Sequence, residues 1–353
     1  MDSNTNTHSD DTTADPFLEQ FETAIKETAH NLRSGKEPRE LASILHYGLS
    51  RLLHSNSTID AMTLASLADG YWKQIAEWAS AAPTGVAPLD NLLGGGLLPG
   101  RLVALLGAPG AGKSSLACQI SETVASAGRP VLYLTSEDSP HMMLCRSMAR
   151  LYGLSYGDLL RGYVKRESFS NAAIALAERP SASRMLIVEQ RGPFSLDAIA
   201  ETARAHFATY DKAHAGGPGL LVIDYLQRLA RANVGTAGQD LRLAVTALCE
   251  RLRDVARDLG CTVMVLSAQG RDAYKSGTGS SALASGKESG DLEYTADALM
   301  AIMPSDDKDQ KAPIASPGHA TRMLRVDKNR QGETGVVYLD WLGMRQMFSE
   351  VQG

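Results

Sequence analysis

The run Leu102-Val-Ala-Leu-Leu106 passes directly into Gly107-Ala-Pro-Gly-Ala-Gly-Lys-Ser114, and a helix-forming stretch begins at Ser115. A short apolar run of this kind reads as a buried strand, and G-x-x-x-x-G-K-[ST] between a strand and a helix has a defined mechanics. Glycines let the loop fold so that successive backbone N–H groups point inward at phosphate oxygens, and the helix start adds partial positive charge. Lys113 is expected to reach β- and γ-phosphates, and the Ser114 hydroxyl to coordinate Mg²⁺. The residues expected to hold ATP are therefore Gly107, Pro109, Gly110, Ala111, Gly112, Lys113, Ser114 and Ser115. A glycine-rich turn that binds nothing is the alternative, and the strand-loop-helix context argues against it.

From Pro83 onward short apolar runs alternate with amphipathic segments, the pattern of strands and crossover helices in a largely parallel sheet. Strands are expected at Leu102–Leu106, Val131–Thr135, Met185–Glu189, Leu220–Asp224 and Cys261–Ser267, with further signals around Leu299–Met303, Met323–Val326 and Val336–Trp341. Leu241, Val245, Leu248, Leu252, Val255 and Leu259 make one helical stripe. Leu220-Leu-Val-Ile-Asp224 ends in a carboxylate at the edge where a phosphate loop sits, so Asp224 is expected to hold Mg²⁺ with Ser114, through water. Glu137 follows the strand Val131–Thr135 and is placed to accept a proton from an attacking water. In isolation Asp224 reads as a strand-end cap and Glu137 as a helix N-terminal charge; with the loop, the three describe nucleoside triphosphate hydrolysis.

With 353 residues, 44% of them hydrophobic and 21% charged, the chain has length for one large core and a small extra module. Residues 1–14 lack apolar content and are expected to be disordered. Residues 15–80 carry three helical patterns, the first capped by Asp15 with Pro16 behind it, and are expected to form a helical module that packs on the main domain or, preferably, on a neighbouring subunit, or serves a protein partner. Residues 81–350 are assigned to the ATPase domain. A net charge of -5 excludes a broad electrostatic footprint for nucleic acid, so such binding has to be local. Cys118, Cys145, Cys249 and Cys261 lack metal-ligand spacing, which fits a reduced, cytoplasmic setting, and no run approaches a membrane span of about 18 apolar residues.

Five segments in order resemble the RecA-like motor domain of DnaB-type replicative ring helicases, over about Pro83 to Phe348. They are the lead-in Pro83-Thr-Gly-Val-Ala-Pro-Leu-Asp90 with Gly95-Gly-Leu-Leu-Pro-Gly100, Glu137 with Arg146, Ile223-Asp-Tyr-Leu-Gln227, Glu288-Ser-Gly-Asp-Leu-Glu293 with Ala296-Asp297, and Lys328-Asn-Arg-Gln-Gly332. Glu137-Asp-Ser-Pro140 is also similar to a segment of the small plasmid RepA hexameric helicases. The resemblance implies a homo-oligomer, a hexameric ring, with ATP between protomers. It implies that Arg330, with Lys328 as companion, reaches a neighbour's γ-phosphate, and that Gln269 takes part in the nucleotide site. It further implies that the stretches Arg228–Gln239 and Gly270–Lys287 face single-stranded DNA, with Arg271, Lys275 and Lys287 on its phosphates; as residues alone, both stretches read equally well as surface loops. The family's Ser-Gln pair after the fifth strand is Ser267-Ala268 here, with Gln269 one place on. Two functions are consistent with these features: a ring motor that unwinds duplex, and an ATPase that loads or regulates a protein partner.

Overall fold

The computed structural model describes Lys26 and residues 81–192, 195–210, 219–233, 241–268, 289–305 and 318–351. The tail 1–14, the helical patterns of 15–80 apart from Lys26, Gln269, Arg271, Lys275 and Lys287 lie outside the described residues.

In chain order the elements are α1 (Ala87–Leu92), β1 (Arg101–Gly107), α2 (Lys113–Ser126), β2 (Val131–Thr135), α3 (Pro140–Tyr152), α4 (Tyr156–Arg161), α5 (Arg166–Ala177), α6 (Pro180–Arg184) and β3 (Met185–Glu189). There follow α7 (Leu196–Ala208), β4 (Leu220–Asp224), α8 (Leu226–Asn233), α9 (Leu241–Asp258), β5 (Thr262–Ala268), α10 (Ser289–Thr295) and β6 (Ala298–Pro304). The last elements are β7 (Ala320–Asn329), β8 (Gly335–Leu342) and β9 (Met347–Glu350). The nine strands form one sheet in the order β3-β2-β4-β5-β1-β6-β7-β8-β9. The pairs from β3 through to β6 are parallel, and β7, β8 and β9 continue antiparallel from β6. This is the expected α/β RecA-like core, a mostly parallel sheet flanked by helices, extended on one side by an antiparallel meander.

Each central strand is buried on both faces, so period-2 alternation divides its side chains between two cores rather than between core and water. Val103 and Leu105 of β1 pack with Leu116, Ile120 and Val124 of α2 and, further along the sheet, with Leu324, Val337 and Leu339. Leu102, Ala104 and Leu106 face the opposite way, against Val245, Leu248 and Leu252 of α9 and Ile199 of α7. Val245, Leu248 and Leu252 of the helical stripe read in the sequence thus lie on the face of α9 that covers the sheet.

Three differences from the sequence reading have local causes. The sequence suggests a loop over Arg228–Gln239, yet α8 runs to Asn233 because Leu226, Leu229 and Ala230 fall at i, i+3 and i+4 and are fully buried. The four residues of β9 are too few to give a periodic signal; the strand exists by pairing with β8 and by Gln119 of α2, whose amide donates to Phe348 O at 2.8 Å and accepts from Phe348 N at 2.8 Å. Between β6 and β7 the register shifts after Leu299, which opposes Lys328, while Met300 opposes Val326. The extra residue, Asp327, is a bulge, and it turns Lys328 to the Leu299 side of the sheet, away from the side on which Val326 is buried.

The β7–β8 hairpin is docked on the end of α1: Leu92 O accepts from Glu333 N at 2.9 Å and from Asn329 Nδ2 at 2.7 Å. Gly332 fits beneath this contact only without a side chain, since a Cβ there would lie 2.2 Å from Leu92 O and 2.5 Å from Asn329 Nδ2. Gly332→Ala is therefore expected to cost about 1–3 kcal/mol of stability, read as a lowered Tm with helix and strand content unchanged.

Candidate nucleotide site

The loop after β1 gives the site its floor. Lys113 opens α2 behind Gly112, whose φ of 101° is left-handed, and no side chain caps the helix. The first N–H groups of α2 therefore keep their donor capacity for a ligand. Gly107 is packed against β6: a Cβ on it would approach Ile302 O to 2.7 Å, and one on Gly112 would meet the Phe348 ring at 2.6 Å. Lys113 Nζ donates to Gly107 O at 2.8 Å and Ala108 O at 3.0 Å. Burial pulls its pKa below the ordinary lysine value, while the Asp224 and Glu137 carboxylates oppose that shift.

Asp224 ends β4 beside this loop and is 2% exposed. Tyr133 of β2, itself fully buried, donates its hydroxyl to Asp224 Oδ2 at 2.7 Å, and Ser114 also hydrogen-bonds the carboxylate. Burial pushes the Asp224 carboxyl above the usual carboxylate range, against the two hydrogen bonds that hold it down. Ser136 then ties the ends of β2 and β4 together. Its N–H and hydroxyl donate to Asp224 O at 2.7 and 2.9 Å, and its Oγ accepts from Tyr225 N at 3.1 Å. That clasp fixes where the chain leaves β2, and the next residue, the exposed Glu137, lines the same cleft as Asp224 and Lys113. Beyond it Ser139 caps α3 by accepting from Met142 N, with Pro140 at the first helical position.

These groups line a cleft of about 420 Å³. Of the residues expected at a nucleotide site, Pro109, Gly110, Gly112, Lys113, Ser114, Ser115, Glu137 and Asp224 are on its walls. Gly107 and Ala111 lie behind them, Gly107 as the end of β1 and Ala111 as a buried residue. Ala268 is on the wall where the resembled family has a glutamine, while Ser267 is buried and accepts from Gln227 Nε2 at 2.7 Å. Ser114 and Asp224 present hard oxygen donors side by side, a set suited to Mg²⁺.

Five wall residues carry no role in the sequence reading: Asp138, Tyr156, Tyr225, Trp341 and Gln346. Trp341 and Gln346 come from the far end of the chain and give no local signal. Gln346 is the one non-glycine at positive φ among the described residues, at 51°. Its Oε1 accepts from Ser115 Oγ at 2.6 Å and from Arg146 Nε at 3.4 Å, and its carbonyl accepts from Arg150 Nη1 at 3.0 Å. Arg146 also pairs with Asp138 and lies over the Tyr156 ring, 5.5 Å from its centroid.

Lys328 and Arg330 are elsewhere. Gly107 opposes Ile302 on β6, while Ala298, at the other end of β6, opposes Asn329. The hairpin tip is thus roughly 15 Å along the strands from the loop, on the opposite edge of the sheet. Neither side chain can serve the cleft of its own chain.

The buried Tyr133–Asp224 pair makes a pH-dependent prediction. Asp224 has a raised folded-state pKa, so its ionisation costs stability increasingly as pH rises from the unfolded value through the folded one. Tyr133→Phe removes a hydrogen bond to the ionised form and raises that pKa further. Urea unfolding is expected to show a loss of about 1.5–3 kcal/mol near neutral pH that narrows as the pH falls into the range where Asp224 is protonated in both proteins.

A family model described as DnaB-like helicase C terminal domain matches residues 81–350. The chain is 24% identical over 270 residues to the replicative DNA helicase DnaB of Haemophilus influenzae, covering 76% of this chain and 55% of that protein. It is 23% identical over 320 residues to DnaB of Pasteurella multocida, covering 90% and 62%. A shorter match, 44% over 77 residues, is to the DNA repair protein RadA of Aquifex aeolicus and covers 22% of this chain and 17% of that one. The chain thus covers less than two thirds of the length of these relatives. Among solved structures, an isolated ATPase domain aligns with a TM-score of 0.69 at 19% identity, covering 83% of this chain and 100% of that one. A DnaB-like replicative helicase, described with its interactions with primase, aligns with a TM-score of 0.72 at 18% identity, covering 95% and 76%. These two likenesses agree with the sheet order in showing a shared fold, and the family match extends over about three quarters of the sequence: the chain belongs to the DnaB-like helicase C-terminal domain family.

Proposed function

We propose that the protein is an oligomeric ATPase, a hexameric ring, that couples ATP hydrolysis to translocation on single-stranded DNA and to duplex unwinding. The observation that carries this reading is the division of the sheet into two edges. One edge holds the cleft with Lys113, Ser114, Glu137 and Asp224, and the other holds the basic pair Lys328 and Arg330, too far away to complete it. A second protomer can bring the two edges together.

In this reading the loop N–H groups and Lys113 bind the β- and γ-phosphates, whose charge offsets the desolvation of the lysine. Ser114, with Asp224 through water, would hold Mg²⁺, which would supply positive charge beside the phosphates. Glu137 orients a water and takes its proton as the water oxygen bonds to the γ-phosphorus and the bond to the β–γ bridging oxygen breaks, releasing ADP and phosphate. Arg330, with Lys328, comes from the neighbour and stabilises the γ-phosphoryl charge. Arg271, Lys275 and Lys287 are proposed to contact strand phosphates, a local basic path in a chain whose net charge is -5. The helices proposed for residues 15–80 would serve subunit packing or a protein partner.

Lys113→Ala and Glu137→Gln are each expected to reduce turnover by about 10²-fold or more, the second with ATP binding retained; undiminished turnover in Glu137→Gln would remove it as the base. Single-stranded DNA is expected to stimulate hydrolysis, less so as salt rises. Hydrolysis indifferent to DNA would favour instead an ATPase that loads or regulates a protein partner. Arg330→Ala is expected to lose hydrolysis alone and to regain it when mixed with Lys113→Ala protomers, which lack a working cleft but carry an intact hairpin; no recovery at any mixing ratio would exclude action in trans.

A further inference from the structure

The two cations of the hairpin are held by named partners. Lys328 Nζ donates to Glu293 O and Tyr294 O, carbonyls in the last turn of α10, where cations are favoured. Arg330 Nη2 donates to Tyr294 O at 3.2 Å, and its Nη1 pairs with Asp297 Oδ1 at 3.2 Å. Asp297, whose side chain is 1% exposed, uses every polar group it has to join this hairpin to the start of β1. Its Oδ2 accepts from Leu102 N at 3.1 Å, its own N–H donates to Leu102 O at 2.8 Å, and its carbonyl accepts from Arg330 N at 3.0 Å.

Oδ1 of Asp297 is shared, since Arg253 Nη2 of α9 also reaches it at 3.3 Å. A buried carboxylate needs a cation, and leaving it unpaired is strongly destabilising. One guanidinium is enough for that. Arg253 stands on a long helix of the core and meets the need whether or not the hairpin is present. The second guanidinium, on a solvent-facing turn, is therefore not explained by charge balance. Holding Arg330 in one rotamer is what remains. A guanidinium has five N–H donors, and these contacts use one on each terminal nitrogen, so the side chain is fixed while three donors remain for another acceptor. Arg330 is 37% exposed, which leaves that face open.

We propose that Asp297 is a positioning residue for Arg330, holding its guanidinium at the hairpin tip in the orientation in which a neighbouring protomer's phosphate site receives it. The proposal rests on the trans role given to Arg330 above. Asp297 also accepts from the second residue of the strand that ends in the phosphate loop, so both the delivered arginine and the receiving loop of one chain are referenced to β1.

The test is steady-state ATP hydrolysis by the full chain, as single proteins and as mixed assemblies. D297N is expected to lose about 10²-fold in kcat through misplacement of Arg330, with KM for ATP unchanged because its own cleft is on the other edge of the sheet. Mixing D297N with K113A is expected to restore hydrolysis as it does for R330A, and D297N/R330A to be no slower than R330A. An unchanged kcat overturns the proposal, and so does a loss that K113A protomers do not rescue while they rescue R330A, since that marks a merely structural role. If K113A rescues neither variant, the trans reading itself fails and the positioning role falls with it. Should D297N not fold, R253M/D297N removes one charge of each sign and carries the same expectations and the same overturning results.

Discussion

Strand β1 is paired along its length with β5 on one side and with β6 on the other, and everything of chemical interest in the described residues is measured from it. Its last residue, Gly107, starts the phosphate loop; its second, Leu102, exchanges backbone and side-chain hydrogen bonds with Asp297 beneath the basic hairpin. Because β6 is parallel to β1 and β7 antiparallel to β6, the chain is carried back to the starting edge before it turns. The two edges are thus a consequence of topology, and no rotamer change can merge them. In the proposed ring, the cleft of one copy is completed by the hairpin of the next.

Around the cleft burial is the first cause of the shifts in protonation. It raises the Asp224 carboxyl and the Tyr133 hydroxyl and lowers Lys113, and the hydrogen bonds from Tyr133 and Ser114 oppose it at Asp224. Ser136 illustrates how little sequence is needed to set the geometry: one serine clasps the ends of two parallel strands, and the placement of Glu137 relative to Asp224 follows from it. The left-handed Gln346 sits on the same site from the far end of the chain, joining the phosphate-loop helix to α3 through Ser115, Arg146 and Arg150. A non-glycine residue held at positive φ by that many partners is over-determined by its surroundings, which is how such conformations persist at functional sites.

Much of this was legible in the sequence because the informative signals were local. The strand-loop-helix motif gave the floor of the cleft, and runs such as Leu220–Asp224 gave the strands, since strands buried on both faces are continuous apolar stretches. What escaped reading depends on contacts between distant residues. Trp341 and Gln346 reach the cleft only because β8 and β9 fold back over α2, and β9 is held there by side chains of Gln119 more than 200 positions away. Residues 156–184 give no assignable pattern because α4 and α6 are a turn or so long and α5 buries only Ala172, so no wide apolar stripe appears. Arg228–Asn233 is read as part of a DNA-facing loop through the family resemblance, and its helical character shows in the burial of Leu226, Leu229 and Ala230. A bulge such as the one at Asp327 leaves no mark in the sequence, although it decides which way Lys328 faces.

The basic hairpin also explains how an acidic chain can carry a cationic element without showing it in its overall charge. Lys328 is held by the neutral carbonyls of a helix end and Arg330 by a carboxylate that also pairs with Arg253, so Asp297 is one negative side chain among three positive ones. Of these, Arg330 is part-exposed at a tip whose backbone is fixed on α1 by the Leu92 carbonyl. A freely rotating cation on a flexible turn would be screened over about 10 Å at ordinary ionic strength and would act on any nearby anion. Fixed in direction, the same charge acts on what is presented to it at contact distance, which in the proposed ring is one phosphate group on the adjoining protomer.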